Sequence, residues 1–355
     1  MTNQRVDPNA SEFALEGALA QLRPYGSSLA NGLTSHAPMV VEALWRLGRI
    51  DAAEAWIDRY RPHLLAAGTA EPALDANDWR ASLGHEALEG SWLALFTAEI
   101  EADGWQPVLS RWSERLAPGF AAAAAHGAIR TAHAARSLSR VDTPLRRAEL
   151  AAGLALWASS WQALPGSPLE RNGALSARDA LRAIPLVPRA RRRNEGAITT
   201  AITVLAEHPG FAPALGALDR ARSADALVLD LARTFAQVFL DQVRTPLDAI
   251  VFTHAITGVA AAERLGRWAG EPAASSLLAH AWQTGAALYA CYGDPEAVGR
   301  VVVTPTATDL VTAAVAHGDE HAIKLTEVCV DFHARSADPV FLGAAGRALE
   351  VVPPG

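Results

Sequence analysis

The sequence predicts an all-α protein, a single large multi-helix domain whose helical core is lined by histidines. Three observations carry that expectation. Alanine, leucine and arginine dominate the composition, alternating β-branched runs are scarce, and apolar stretches of helical length end in ordinary helix punctuation. In chain order the expected helices cover about 11–22, 37–48, 51–66 (opened by Asp51), 84–102, 105–116, 119–139 and 144–161. They continue over 195–206, 222–242, 247–266 (entered through Thr245-Pro246), 272–291 (closed by Gly293-Asp294-Pro295), 306–317, 319–335 and 339–349. Val301-Val302-Val303 alone reads as a short strand. Residues 163–194, rich in proline and arginine, form the one composition break and read as a long connector inside one domain. No clean internal repeat is visible.

Composition narrows the function. Half of the 355 residues are hydrophobic, so a large core can be buried. A net charge of −7 argues against nucleic acid or an anionic membrane as the main partner. The basic run Arg189 to Arg193 is short and reads as a solvated loop. Cys291 and Cys329 form neither a CxxC pair nor a disulfide framework, which fits a reducing cytoplasm. The N-terminus lacks the apolar segment of a secretory signal, and no apolar run reaches the roughly 20 residues of a membrane span. The expectation is a cytoplasmic, soluble protein; the sequence leaves its oligomeric state open.

Of 31 basic residues, Lys324 is the only lysine. Where arginine serves every generic cationic role, a retained lysine points to an amine that must lose its proton and react. A chance survivor on a solvated helix face is the competing reading. Helical projection weakens it, because His321 falls on the face of Leu325, Val328 and Phe332 while Ile323 and Val330 line the opposite face. His317 falls on the same side as His321 if the helix extends back to it.

The same projection turns other histidines inward. His254 shares its face with Leu247, Ile250, Val251, Gly258, Ala261 and Leu265, whose small members leave room beside the ring. His126 and His133 share a face on 119–139, His280 points with Ser276, Thr284 and Cys291, and His36 stands before Pro38 at a helix entry. Any one of these is most simply a core histidine bonded to backbone. Several together fit imidazoles converging on a metal from facing helices. His63, His85, His208 and His333 read as surface or loop residues. GxGxxG, P-loop, GxSxG and HExxH motifs are absent, and His85-Glu86-Ala87-Leu88-Glu89 has Glu where a second zinc histidine would stand. The ten tryptophans read first as core and second as walls for an aromatic ligand.

Four segments resemble the questin oxidase-like family. They are Ser35-His36-Ala37-Pro38-Met39 with Ala43-Leu44-Trp45-Arg46-Leu47-Gly48, then Ala125-His126-Gly127-Ala128-Ile129-Arg130, then Thr253-His254-Ala255-Ile256-Thr257, and finally Asp319-Glu320-His321-Ala322-Ile323-Lys324-Leu325-Thr326-Glu327. The resemblance spans about residues 25–335, with the HxxK segment its most specific part. It implies oxidative opening of anthraquinone-type rings of aromatic polyketides. It also implies a nonhaem iron(II) site of four histidines and a carboxylated lysine, as described for one relative. On that pattern Lys324 carries CO2 as a carbamate, and His36, His126, His254 and His321 are the leading ligands, with His280 as a substitute for any of them.

Thr257, one turn after His254, is the candidate to orient O2 or the carbamate. Two departures stand out: Ser35 replaces Asn, and Arg130 occupies the place of a second histidine that His133 either compensates or does not. The partners expected are a small aromatic substrate and O2. NADPH, used by family members described as Baeyer–Villiger-type monooxygenases, is a further possible cofactor, although no dinucleotide fingerprint is present. A metal-free monooxygenase of that type and a non-catalytic helical protein holding an aromatic ligand are the competing functions.

Overall fold

A computed structural model describes residues 8–69, 74, 78–297 and 305–355, which are all-α apart from one small two-stranded sheet. The helices are α1 Pro8–Leu22, α2 Ala37–Arg46, α3 Ala53–Tyr60, α4 Glu89–Asp103, α5 Trp105–Leu116, α6 His126–Leu138, α7 Pro144–Ser159 and α8 Ala177–Arg182. They continue as α9 Ile198–Ala201, α10 Phe211–Ala214, α11 Ala224–Gln242, α12 Pro246–Ala269, α13 Ala273–Tyr292, α14 Ala307–His317, α15 Glu320–Ser336 and α16 Pro339–Val351. Strands β1 Tyr25–Leu29 and β2 Leu64–Ala66 pair antiparallel, Tyr25 opposite Ala66 and Leu29 opposite Leu64. The suspected strand Val301–Val303 lies outside the described residues.

α12 is the central element, packed against α5, α6, α11, α13 and α15. Such a helix must be apolar on nearly every side, which Ala255 through Ala262 supply. Its start is fixed by a capping box: Thr245 Oγ1 accepts from Asp248 N at 3.2 Å, and Asp248 Oδ2 accepts from Thr245 N at 2.8 Å. Pro246 follows at the first helical position, where no amide hydrogen is required.

Two contiguous cores meet at α2 and α15. The larger takes Met39 from α2 and Leu325, Val328 and Phe332 from α15; the smaller, built on α1 and α3, takes Val40, Val41 and Leu44 from α2 and Ile323 from α15. α6 and α7 approach closely because each presents a glycine. A Cβ on Gly127 would lie 2.5 Å from Trp157 Cα, and one on Gly153 would lie 2.9 Å from Thr131 Cα. Trp92, Trp112, Trp157 and Trp282 are fully buried, so these four serve as core.

Five expected elements change, two of them at their ends: 84–102 is α-helical only from Glu89, and 195–206 is α-helical over Ile198–Ala201 and then 3-10 through Glu207. The 51–66 helix stops at Tyr60 and becomes a 3-10 turn through Pro62 followed by β2, because proline has no amide to continue the ladder. The 119–139 helix begins only at His126. The 163–194 stretch contains α8, capped by Ser176 and tied to α11 by Ala177 N donating to Asp230 Oδ2 at 2.9 Å. No helix among the described residues is long and apolar enough to cross a membrane.

Candidate metal centre

Four histidines from four helices close into a circuit. Ring centroids are 4.4 Å apart for His36–His126, 4.6 Å for His126–His254, 5.6 Å for His254–His321 and 4.6 Å for His321–His36. His36 caps α2, its amide donating to Tyr60 Oη at 3.2 Å, and His126 opens α6. His254 sits inside α12. His321 is the second residue of α15, whose N-terminus is capped by Asp319 Oδ1 accepting from His321 N at 2.8 Å and Ala322 N at 2.9 Å. Lys324 follows one turn later and is 1% exposed, so the solvated-face reading of this lysine is excluded.

The backbone before His126 is strained. Ala123, Ala124 and Ala125 have φ of 46°, 57° and 69°, three consecutive non-glycine residues in the left-handed region. Each costs an L-residue roughly 1–2 kcal/mol. The turn aims the Ala123 carbonyl at His126 Nδ1, which donates to it. Strain kept at a ring-anchoring turn is the pattern of a functional site. Ala124→Gly is expected to raise stability by ~0.5–1 kcal/mol, relief of strain exceeding the added unfolded-chain entropy; denaturant midpoints of the two proteins would measure it.

His254 is anchored the same way, Nδ1 donating to the Ile250 carbonyl at 2.7 Å. A carbonyl only accepts, so both rings carry their hydrogen on Nδ1 and a lone pair on Nε2. Those Nε2 atoms face each other at 3.1 Å. A proton could relieve the clash, but burial, then the neighbouring imidazoles and Lys324, hold both rings well below the usual imidazole range. Moving a hydrogen to either Nε2 only transfers the clash to a carbonyl. A shared cation removes it. Nitrogens ~2.1 Å from one ion and at right angles lie ~3.0 Å apart, with ring centroids ~4.6 Å apart. These values are close to the His126–His254 nitrogen separation and to three of the four centroid separations, His254–His321 being wider at 5.6 Å. The imidazole donors therefore suit a transition-metal ion, with His126 and His254 at ligand spacing and His36, His321 and Glu320 forming the group whose ligand atoms lie within 4.8 Å of one another.

His36 and His321 supply a second sign. Neither Nδ1 has a hydrogen-bond partner among the described residues, although both atoms are buried. His36 is held well below the usual imidazole range by burial, then by the charge of Lys324 and the other rings. Burial likewise pushes the Lys324 amine down to about 8, against the opposing pull of Glu320 and Asp319.

The remaining candidates fall elsewhere. His280 is not in the circuit: its Nδ1 bonds the Ser276 carbonyl at 2.8 Å as that of His254 bonds Ile250, but no ring contact among the described residues joins it to the four histidines and its charged neighbour is Arg220. Thr257 Oγ1 donates to the Thr253 carbonyl at 2.9 Å, so its proton is already committed. The room expected beside Gly258 is limited by Phe120, whose Cε1 would stand in ordinary contact, 3.5 Å, with an added Cβ. α14 ends at His317, whose Nε2 bonds the Val352 carbonyl at 3.0 Å, so the helix does not run back to it.

Arg130 makes a bidentate pair with Glu149 at 2.7 and 2.9 Å and donates to Ser27 Oγ at 2.8 Å. It lines a cavity of about 210 Å³ with Tyr25, Ser27, Leu93 and Ala152, and none of the four circuit histidines lines that cavity. His133 does not compensate for the replaced histidine: it sits in a different cluster, its Nδ1 bonded to Glu42 at 2.6 Å and its charged neighbours being Glu42, Arg136 and Arg264.

Sequence reasoning missed Glu320, whose Oε1 stands 3.6 Å from His36 Nδ1 and 3.9 Å from His321 Nδ1. It also missed a buried ion network. Arg136 binds Glu42 at 2.7 Å and Glu327 at 2.6 Å, and Arg264 binds Glu327 at 2.9 and 3.2 Å. Its members lie on α2, α6, α12 and α15, the helices at whose starts or interiors the four rings stand. Its opposite charges were visible in the sequence, but nothing there paired them. No family model matches this chain, and no curated protein is significantly similar to it.

Proposed function

We propose that His36, His126, His254, His321 and Lys324 hold one iron(II) ion, and that the protein is an oxygenase of questin oxidase-like type. Its reaction would be O2-dependent carbon–carbon cleavage of an anthraquinone- or hydroquinone-type aromatic ring. The observation that carries the metal reading is the pair of opposed Nε2 lone pairs of His126 and His254, 3.1 Å apart in a buried site. The ring-opening chemistry rests on the resemblance of the four histidine segments.

Each protein group then has a task. The imidazoles are borderline donors that suit first-row metals. Lys324, held near 8, is neutral in roughly a tenth of molecules at pH 7, a few hundred times more than an ordinary lysine. The ammonium first loses one proton; the lone pair of the neutral amine then bonds the carbon of CO2, one C=O electron pair moves onto oxygen and a second proton leaves, so a repelling cation becomes an anionic oxygen ligand. Bound iron(II) would supply electrons and an open position for O2. Burial of all five side chains keeps bulk water away. A role for Thr257 toward O2 or the carbamate would use its oxygen as acceptor only.

Protein made without a His-tag, stripped of metal and titrated anaerobically with iron(II), is expected to take up about one equivalent. The His126→Ala and His254→Ala variants should lose it. A folded protein that binds no metal at micromolar concentration would overturn the proposal. Turnover with NADPH in metal-free protein would assign it to the Baeyer–Villiger class instead. Tight aromatic binding without metal or turnover would make it a binding protein.

A further inference from the structure

We infer that Glu320 is a positioning residue of this centre, its carboxylate holding the Nδ1 sides of His36 and His321 so that both rings present Nε2 to the ion. The inference deepens the metal reading above and rests on it.

The need for such a residue follows from where each ring sits on its helix. His254 lies mid-helix, and the preceding turn offers it the Ile250 carbonyl. His126 opens its helix, and the left-handed alanine turn supplies the Ala123 carbonyl in its place. His36 caps α2 and His321 is second in α15, so neither has a preceding helical turn to offer a carbonyl to Nδ1. Both Nδ1 atoms are buried and have no hydrogen-bond partner among the described residues. The carboxylate facing both is Glu320, at 3.6 and 3.9 Å, within ~1 Å of hydrogen-bond length. Asp319 Oδ1 stands 3.8 Å from His321 Nδ1 but already accepts from the amides of His321 and Ala322, and of the two carboxylates only Glu320 also faces His36.

Charge leads to the same residue. A divalent ion with four neutral imidazoles and one carbamate leaves one positive charge, which the Glu320 carboxylate neutralises. Metal-bound imidazoles ordinarily donate their other N–H to a carboxylate or carbonyl, and loss of that partner weakens metal binding by about 10–100-fold. Direct ligation by Glu320 is the rival arrangement, since its oxygen and one nitrogen each of His36 and His321 lie within 4.8 Å of one another. That arrangement would leave the His126–His254 lone pairs opposed.

The test uses cobalt(II) as the probe on the full-length apo protein, with affinity read by chelator competition and coordination by the visible d–d bands. Glu320→Ala is expected to bind about 10–100-fold more weakly, with the band shape and the apo melting temperature unchanged. Glu320→Gln, which still accepts a hydrogen bond but carries no charge, should fall between it and the parent. An alanine variant within twofold of the parent overturns the inference. Altered bands would overturn it in favour of direct ligation, and an affinity loss matched by an equal loss of apo stability would reduce Glu320 to a structural part. A parent protein that binds no cobalt or iron fails the metal reading itself, a result distinct from all of these.

Discussion

Replacing Lys324 by methionine is expected to give an apo protein that is more stable than the parent and unable to take up iron. The lysine is fully buried, and burial holds its amine at about 8 instead of 10.5. That displacement corresponds to about 3 kcal/mol of cost carried by the charged form. Methionine fills similar space without the charge, so a gain of about 1–3 kcal/mol is expected at pH 7. The sign of the pH dependence follows from the lowered value. Below pH 8 both folded and unfolded lysine are charged and the full penalty is present. Between 8 and 10.5 only the unfolded chain binds the proton, so parent stability rises with pH. Denaturant midpoints at pH 7 and 9.5 should therefore converge for parent and variant. Lys324→Arg keeps a charge but cannot add CO2, so it should lose iron as well. A methionine variant that is less stable and still binds iron would mean the lysine is kept for packing, and the carbamate idea would fail.

Much of the centre was legible in one dimension, for identifiable reasons. Lys324 stood out because every other basic residue is arginine. His36, His126, His254 and His321 stood out because helical projection turns them inward and their segments share a family resemblance. Projection, however, shows which side of a helix faces in and says nothing of which point in the interior a ring reaches. His280 and His133 pass that filter equally, yet neither reaches the circuit: one lies beside Arg220 and the other among Glu42, Arg136 and Arg264. The left-handed turn at Ala123–Ala125 carried no signal, since alanine is the strongest helix former and glycine is the usual mark of positive φ. Glu320 lay in plain sight beside His321. Its relation to His36 depends on α2 and α15 packing together, which local pattern cannot supply.

The largest stability loss is expected from Arg136→Met, about 3–5 kcal/mol, because one guanidinium bridges two buried carboxylates on different helices and is the arginine bonded to Glu42. Burial alone would raise both carboxyls. Arg136 overrides it, holding Glu42 well below the usual carboxylate range and Glu327 near 2. In the parent, that stabilisation is complete above about pH 4.5 and is lost as pH falls toward 2. Without Arg136 the network has one fewer cation than it needs, and desolvation governs. At least one carboxyl should then sit above its unfolded value, so the variant should be destabilised most near neutrality and should recover part of the deficit as pH falls toward 5. Urea midpoints from pH 7 to 4 distinguish the cases, since parallel profiles for the two proteins would show that Arg136 does not set these carboxyls. The network lies on the helices of the four rings, within about two to three turns of each ring along the chain. Its loss should therefore weaken metal uptake in molecules that remain folded. A variant with full metal affinity and only lowered stability would mean that the rings are aligned by packing alone, with the ion pairs serving the core.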